Sequence, residues 1–103
     1  MKINITSTED IGTAIRAVRK SIHVRQDDLA GGAKVSKQFA IDVERGKSTM
    51  QLGKVLLLLQ ELGIPLTLDI PDAAFRLLPG IKARKQSKPK KAVTVNTMPD
   101  PES

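Results

Sequence analysis

Lys37 and Gln38 begin the second of two short helical patterns, and both have side chains that suit the edges of DNA bases. A lysine ammonium donates to guanine O6 and N7, and a glutamine amide matches adenine N6 and N7. Ser36 immediately precedes them, where the N-cap of a helix is expected. Arg45 and Lys47 flank the turn after this helix and are natural partners for phosphate groups. The sequence therefore predicts a helix whose first turn contacts base pairs.

Two short helices joined by a tight turn would position these side chains, and residues 26–46, QDDLAGGAKVSKQFAIDVERG, have that pattern. The apolar residues are spaced so that two crossing helices bury one small shared core. In a helix-turn-helix the second helix lies in the major groove of DNA. The residues that predict this core are Leu29, Ala30, Ala33, Val35, Ala40 and Val43.

This stretch resembles the lambda-repressor-like, or Xre-type, helix-turn-helix family. The resemblance rests on Gln26, on DDLA at residues 27–30, on VS at residues 35–36 and on VERG at residues 43–46. Several residue types agree with the family at fixed separations across the whole motif.

The family resemblance implies a mainly α fold, a four- to five-helix domain that binds double-stranded DNA. It also implies which side chains meet the DNA. Base contacts fall to Lys37, Gln38 and Asp42, and phosphate contacts to Arg25, Gln26 and Ser36.

The two acidic residues on the second helix are expected to differ in role. The carboxylate of Asp42 can accept from cytosine N4, but it also repels phosphates and could instead pair with Arg45 or Lys37. Glu44 is predicted to be structural, tying the motif together through an ion pair with a basic residue, for which Arg19 is the candidate.

The turn of the motif departs from the family pattern. Lys34 stands where the family commonly has glycine, and Gly31 and Gly32 are displaced into the first helix of the pair. A non-glycine residue at positive φ is strained, and a glycine inside a helix costs roughly 0.5–1 kcal/mol relative to alanine. We expect either a less stable helix or a turn formed by Gly31 and Gly32.

Composition limits the classes of function. With 103 residues, the chain has room for one small domain and a tail. It contains no cysteine and one histidine, so thiolate or histidine-rich metal sites are excluded and no cofactor is expected. The sequence offers neither a nucleophile with a base nor a phosphate-binding glycine loop, so we do not expect an enzyme. The longest apolar run, residues 55–59, is too short to span a membrane.

The positive charge is concentrated in the C-terminal tail. The formal net charge is +6, and residues 79–103 hold six Lys or Arg against two acidic residues. A basic balance favours polyanionic partners. Residues 81–103 are expected to be disordered in isolation. The tail could bind DNA or, through Val93 and Val95, a partner protein.

One further helix is predicted before the motif and one after it. Thr6 and Glu9 have capping-box spacing before a helix that runs to about His23. A leucine-rich helix follows the motif and is expected to end at Gly63. Leu57 and Leu58 widen its apolar face, so part of it is expected to meet a second copy of the chain. The residues predicted to be buried are Leu52, Val55, Leu56, Leu59 and Leu62.

A short C-terminal strand is predicted between Pro65 and Pro71, where Leu66, Leu68 and Ile70 alternate with polar residues. A single strand leaves unpaired backbone groups, so it needs a partner. Either residues 3–5 or the same strand of a second subunit could supply one.

Residues 61–68, ELGIPLTL, resemble the corresponding segment of HipB-type antitoxins. In that family this strand pairs across a two-fold axis to make the dimer. The resemblance implies a homodimer joined through Leu66, Leu68 and Ile70, a HipA-like kinase toxin as partner, and repression of the protein's own operon.

The predicted organisation is a helix-turn-helix and dimerisation domain at residues 6–71, a short helix or linker at 72–80 that is expected to stop at Pro79 and Gly80, and the basic tail. The predicted function is that of a dimeric repressor that reads an inverted-repeat operator. It would be cytoplasmic and associated with the nucleoid. The rival prediction is a protein-interaction module that neutralises or bridges a partner without reading a DNA sequence.

Overall fold

The computed structural model describes residues 1–87, with side chains to residue 84, and all regular secondary structure in this part of the chain is helical. The described residues form two compact units, residues 1–67 and residues 68–87. The first unit contains α1 (Thr8–Ser21), α2 (Gln26–Ala33), α3 (Lys37–Glu44) and α4 (Leu52–Glu61). The second contains α5 (Asp72–Phe75) and α6 (Leu78–Ser87).

One small apolar core holds the four helices of the first unit together. In it α3 packs on both α1 and α2, and α4 packs on α2. Many of the core side chains are small, which allows the short helices to approach closely. The buried residues are Ile15, Leu29, Ala30, Ala33, Ala40, Val43, Val55, Leu58 and Leu59.

The N-cap of helix α1 lies one residue later than predicted. Ser7 is the N-cap, and its Oγ accepts from the Asp10 N–H at 3.2 Å. The Asp10 carboxylate reaches back to the N–H and hydroxyl of Thr6, at 2.9 and 3.0 Å, and these hydrogen bonds lower the pKa of Asp10. The predicted pair of Thr6 and Glu9 is therefore wrong, because Ser7 caps the helix and Asp10, not Glu9, accepts from Thr6. The helix ends before His23, which has a left-handed φ of 58°.

Lys34 forms the turn between α2 and α3. It has φ 62° and ψ 40°, and its N–H and that of Val35 donate to carbonyls of the last turn of α2, including Val35 to Ala30 at 3.0 Å. Gly31 and Gly32 remain inside α2, so the alternative turn is not adopted. At Gly32 an added methyl group would overlap the Glu61 carboxylate, whereas Gly31 faces open space.

Helix α4 buries a different set of residues from the one predicted. It buries Val55, Leu58 and Leu59, but Leu52 and Leu56, which were predicted to be buried, are exposed together with Leu57. Because α4 packs mainly on α2, a narrow stripe is sufficient to close the core. The helix ends at Gly63 as predicted, with φ 72° and a hydrogen bond from the Ile64 N–H to the Leu59 carbonyl at 2.9 Å.

Within residues 1–87 no segment is a β-strand, so the predicted pairing of residues 66–70 with residues 3–5 is absent from the chain. Pairing with a second subunit stays a prediction. Leu66 and Leu68 are 52% and 83% exposed. Ile70 is half-buried.

Helix α6 contradicts the predicted stop at Pro79 and Gly80, because both residues lie in its first turn. Proline has no backbone N–H to donate, but the N–H groups in the first turn of a helix have no partner within the helix. Proline is therefore favoured at the start of a helix. The predicted tail therefore contributes residues 81–87 to a helix. The rest of it, with Val93 and Val95, lies outside the described residues.

Candidate nucleic-acid interface

The start of α3 presents the predicted base-reading side chains. Ser36 is the N-cap, and its Oγ accepts from the Phe39 N–H at 3.0 Å, as the sequence predicted. Lys37 and Gln38 follow in the first turn and are exposed. The opposite face of the helix is fixed in the core by Ala40. The exposed first turn can therefore enter a groove while the helix stays attached to the domain.

A partly buried ion pair fixes α3 on α1. Arg19 donates through Nε and Nη2 to the two carboxylate oxygens of Glu44, at 2.6 and 2.9 Å, and through Nη1 to the Val24 carbonyl at 3.0 Å. The side chains are 12% and 3% exposed, and the hydrogen bonds to Glu44 raise the pKa of Arg19. The predicted structural role of Glu44 and its pairing with Arg19 are confirmed. The guanidinium also joins the α1–α2 connection to the recognition helix.

The loop after α3 is held against the start of α1. Gly46 has a φ of 80°, and its carbonyl accepts from the Thr8 hydroxyl at 2.8 Å. The Lys47 N–H donates to the Asp42 carbonyl at 3.0 Å. These contacts define the path of the loop that carries Arg45 and Lys47, both of which are exposed as a phosphate contact requires.

Asp42 has partners other than those predicted. Its Oδ1 accepts from the Gln38 amide at 2.9 Å, and its Oδ2 lies 3.7 Å from the Lys47 ammonium. The predicted pairing with Arg45 or Lys37 is wrong. Residues four apart share one face of a helix, which favours Gln38, and the loop turns Lys47 back toward the same carboxylate.

The start of α2 carries the two remaining predicted phosphate contacts. Arg25 is its N-cap residue without a side-chain cap, and its guanidinium lies 3.3 Å from the Asp27 carboxylate. The Arg25 side chain is largely exposed, whereas Gln26 is partly buried. The first N–H groups of a helix and a nearby cation both suit an anion.

Two residues that position the interface were not singled out in the sequence. Gly12 lies where α1 approaches α3, and an added methyl group would collide with the carbonyl oxygens of Val43 and Glu44. Thr8 fixes the loop at Gly46. The role of Gly12 could have been predicted from a glycine that interrupts the apolar spacing of a helix. The role of Thr8 could not, because it depends on a contact with Gly46, which is distant in the sequence.

No helix within residues 1–87 has the length and apolar character of a membrane span. The same part of the chain contains no cluster of three or more acidic, histidine or cysteine side chains placed to hold a metal ion.

Comparison with known proteins places the chain beside transcriptional regulators. The uncharacterized HTH-type transcriptional regulator y4mF of Sinorhizobium fredii is 46% identical over 71 residues, which are 69% of this chain and 93% of the relative. No protein-family model matches the chain.

Solved structures share the fold. A HipA-HipB-O2-O3 complex contains a chain that is 21% identical, with a TM-score of 0.63, over 69% of this chain and 100% of the other. The clp gene regulator ClgR from C. glutamicum is 21% identical, with a TM-score of 0.53, over 78% of this chain and 95% of the other. These likenesses confirm the predicted mainly helical helix-turn-helix fold.

Proposed function

The chain belongs to the helix-turn-helix transcriptional regulators, a family of regulators and not of enzymes, and from this membership we propose that it is a sequence-specific repressor that binds double-stranded DNA as a dimer. We further propose that it is the antitoxin of a HipBA-type operon, which it represses together with its toxin. The observation that carries the first proposal is the geometry of α3, where exposed polar side chains follow the Ser36 cap while the opposite face is buried.

The proposed contacts divide by chemistry. Lys37 and Gln38 would meet base edges, because their amine and amide groups are exposed on the first turn of the helix. Cations at both ends of the motif would meet phosphates, which set the register of the protein on the duplex. The proposed DNA-binding set is Arg25, Gln26, Ser36, Lys37, Gln38, Asp42, Arg45 and Lys47.

The proposed dimer uses the segment that contains Leu66, Leu68 and Ile70. The exposure of the first two side chains, and the absence of a strand partner within residues 1–87, support pairing with a second copy. The apolar residues Leu52 and Leu57 are also exposed on α4 and could extend the interface. Two copies related by a two-fold axis would read an inverted repeat.

The toxin partner is proposed to be a HipA-like kinase. Support comes from a solved structure of the same fold whose name joins HipB with HipA and the sites O2 and O3. A repressor of this kind would act in the cytoplasm, at the nucleoid, where its operator lies.

Fluorescence anisotropy at roughly 150 mM salt tests the repressor proposal. The labelled duplex is the DNA upstream of the protein's own gene, and the competitor is the same duplex with scrambled sequence. We expect at least a tenfold preference for the native duplex. Equal affinity for both duplexes, together with tight binding to the product of the neighbouring gene, would favour the protein-interaction module instead.

A further inference from the structure

Asp42 uses both oxygens of its carboxylate within the protein. Oδ1 accepts from Gln38 Nε2 at 2.9 Å, and Oδ2 lies 3.7 Å from Lys47 Nζ. Only 26% of the Asp42 side chain is exposed, compared with 55% for Lys47. Gln38, in contrast, is exposed on the first turn of α3. The carboxylate thus lies one helical turn after the glutamine and holds its amide.

The contact selects one of the two orientations of the glutamine amide. A carboxylate accepts hydrogen bonds and cannot donate them, so the Gln38 NH₂ group must face Asp42. Turning the amide over would place its carbonyl oxygen against the carboxylate, where two acceptors repel each other. Through this single contact the carboxylate takes one of the two amide hydrogens. When it takes the one that lies away from Oε1, the remaining hydrogen and Oε1 lie side by side and stay available.

A carbonyl oxygen beside one N–H is the pattern that adenine requires. Adenine presents the N6 donor and the N7 acceptor in the major groove, whereas guanine presents two acceptors, N7 and O6. A freely rotating glutamine can turn its NH₂ group toward guanine. A glutamine held by a carboxylate keeps Oε1 beside its remaining hydrogen, so when that hydrogen donates to guanine N7, Oε1 faces the O6 acceptor and repels it. Turning the amide over to avoid this repulsion loses the hydrogen bond to Asp42.

We propose that Asp42 is a positioning residue that restricts Gln38 to adenine and excludes guanine at the base pair that Gln38 contacts. This inference rests on the proposed DNA-binding function and adds the base preference of one position. Asp42 then acts through Gln38, and its place in the proposed DNA-binding set is that of a residue that orients a base-reading side chain.

Selection from a library of randomised DNA duplexes tests the proposal, because the selected sequences themselves reveal the preferred base at each position. Full-length wild-type protein and the variants Gln38→Ala, Asp42→Asn and Lys47→Ala are each used to enrich sequences. Asparagine has the shape of aspartate but can also donate, so it permits both amide orientations. Lys47→Ala removes the other partner of Asp42 and leaves the contact with Gln38 in place.

The wild type is expected to enrich adenine at one position of each half-site, and Gln38→Ala to lose that preference. Asp42→Asn should admit guanine there, and the preference for adenine over guanine should fall from roughly 5- to 150-fold to near unity. The bases selected at the other positions should stay unchanged in this variant, which shows that it is folded. The Lys47→Ala variant should bind all duplexes more weakly and retain the preference for adenine at the Gln38 position.

Three results would overturn the proposal. If Asp42→Asn retains the wild-type preference, Asp42 does not set it, although the repressor proposal stands. If Asp42→Asn loses a cytosine that Gln38→Ala retains, the carboxylate itself contacts a base. If the wild type enriches no sequence, this inference and the proposed repressor function both fail.

Discussion

Lys37 and Gln38 are the residues at which sequence discrimination should be concentrated. Changing either to alanine is expected to cost roughly 1–3 kcal/mol of binding to the preferred site, since a bidentate contact with one base is lost. Ser36→Ala should instead weaken binding to all duplexes alike. Anisotropy titrations with native and scrambled duplexes measure both effects.

Lys20→Ala is the matched control, because this exposed lysine lies on α1 and not on the recognition helix. It should leave discrimination unchanged. If Lys37→Ala and Gln38→Ala discriminate as well as the wild type, the assignment of the base contacts is incorrect.

Substitution of Arg19 tests how much the partly buried ion pair with Glu44 contributes to stability. Arg19→Met leaves the Glu44 carboxylate, whose side chain is 3% exposed, without its cation. We expect a loss of roughly 3–5 kcal/mol in the free energy of unfolding, measured by urea denaturation. The double variant Arg19→Met, Glu44→Leu should recover much of this loss, because an apolar pair avoids the cost of a buried charge.

The control for this variant is Arg16→Met, which changes an exposed arginine on the same helix. A loss as large in Arg16→Met as in Arg19→Met would show that the ion pair is not the cause.

At the scale of the elements, the position of the recognition helix depends on the close approach of α1 and α3. Gly12→Ala should destabilise the protein by roughly 1–3 kcal/mol, because the new methyl group meets the carbonyl oxygens of Val43 and Glu44. Thermal or urea unfolding measures the change.

Gly31→Ala is the matched substitution on α2, where the added methyl group has no neighbour within 4 Å. It should stabilise the protein by roughly 0.5–1 kcal/mol, since alanine favours a helix interior more than glycine does. Destabilisation of similar size in both variants would mean that the Gly12 effect is not a matter of packing.

Local patterns predicted the elements well. The spacing of apolar residues gave four helices, Ser36 gave the cap of α3, and Gly63 gave the end of α4. Opposite charges in a motif of known pattern predicted the pairing of Arg19 with Glu44.

The errors arose where two local choices have nearly equal energy. Thr6 and Ser7 are both good caps with an acidic residue three positions on, and only the structure shows that Ser7 is used. On α4, six apolar residues offered more than one face to the core, so Leu52 and Leu56 were misplaced. A proline can begin a helix as well as end one, which explains the error at Pro79.

At the scale of the whole molecule, the first question is the oligomeric state. Leu68 is 83% exposed within one chain. If it joins two subunits, Leu68→Asp should yield monomers and weaken operator binding, since a charge would enter an apolar contact. Light scattering at micromolar concentration measures the mass.

Half-sites about 10 bp apart, or a multiple of that, should be protected by the dimer. Leu77→Asp provides a control at another exposed leucine outside the proposed interface, and it should remain dimeric. A wild-type protein that is monomeric at micromolar concentration would contradict the proposed dimer.

The basic tail gives the second prediction at this scale. Deleting residues 88–103 leaves α6 complete and removes Lys88, Lys90 and Lys91. If these lysines neutralise phosphates, the slope of log K against log salt should become shallower by roughly 0.9 for each, and by about 3 in all.

If the tail instead binds the toxin, the deletion should leave the salt slope alone and reduce affinity for the toxin. Val93 and Val95 are its branched apolar pair, so replacing both with serine provides a version that keeps the charge. We favour a protein partner for the tail because this apolar pair would add little to the binding of phosphates. A deletion that alters neither measurement would show that the tail contributes to neither interaction.

The way in which the helices of the first unit pack on one another also determines how quickly the domain folds. Helix α3 packs on α1 and α2, and α4 on α2, so the core forms from elements that are near one another along the chain. Helical domains with such local contacts fold within microseconds to milliseconds. Synthesis of 103 residues, at roughly 5–20 residues per second, takes on the order of ten seconds. We therefore expect each new chain to carry a finished recognition helix as it leaves the ribosome. The encounter between two chains, whose rate depends on concentration, then determines how soon an operator is occupied.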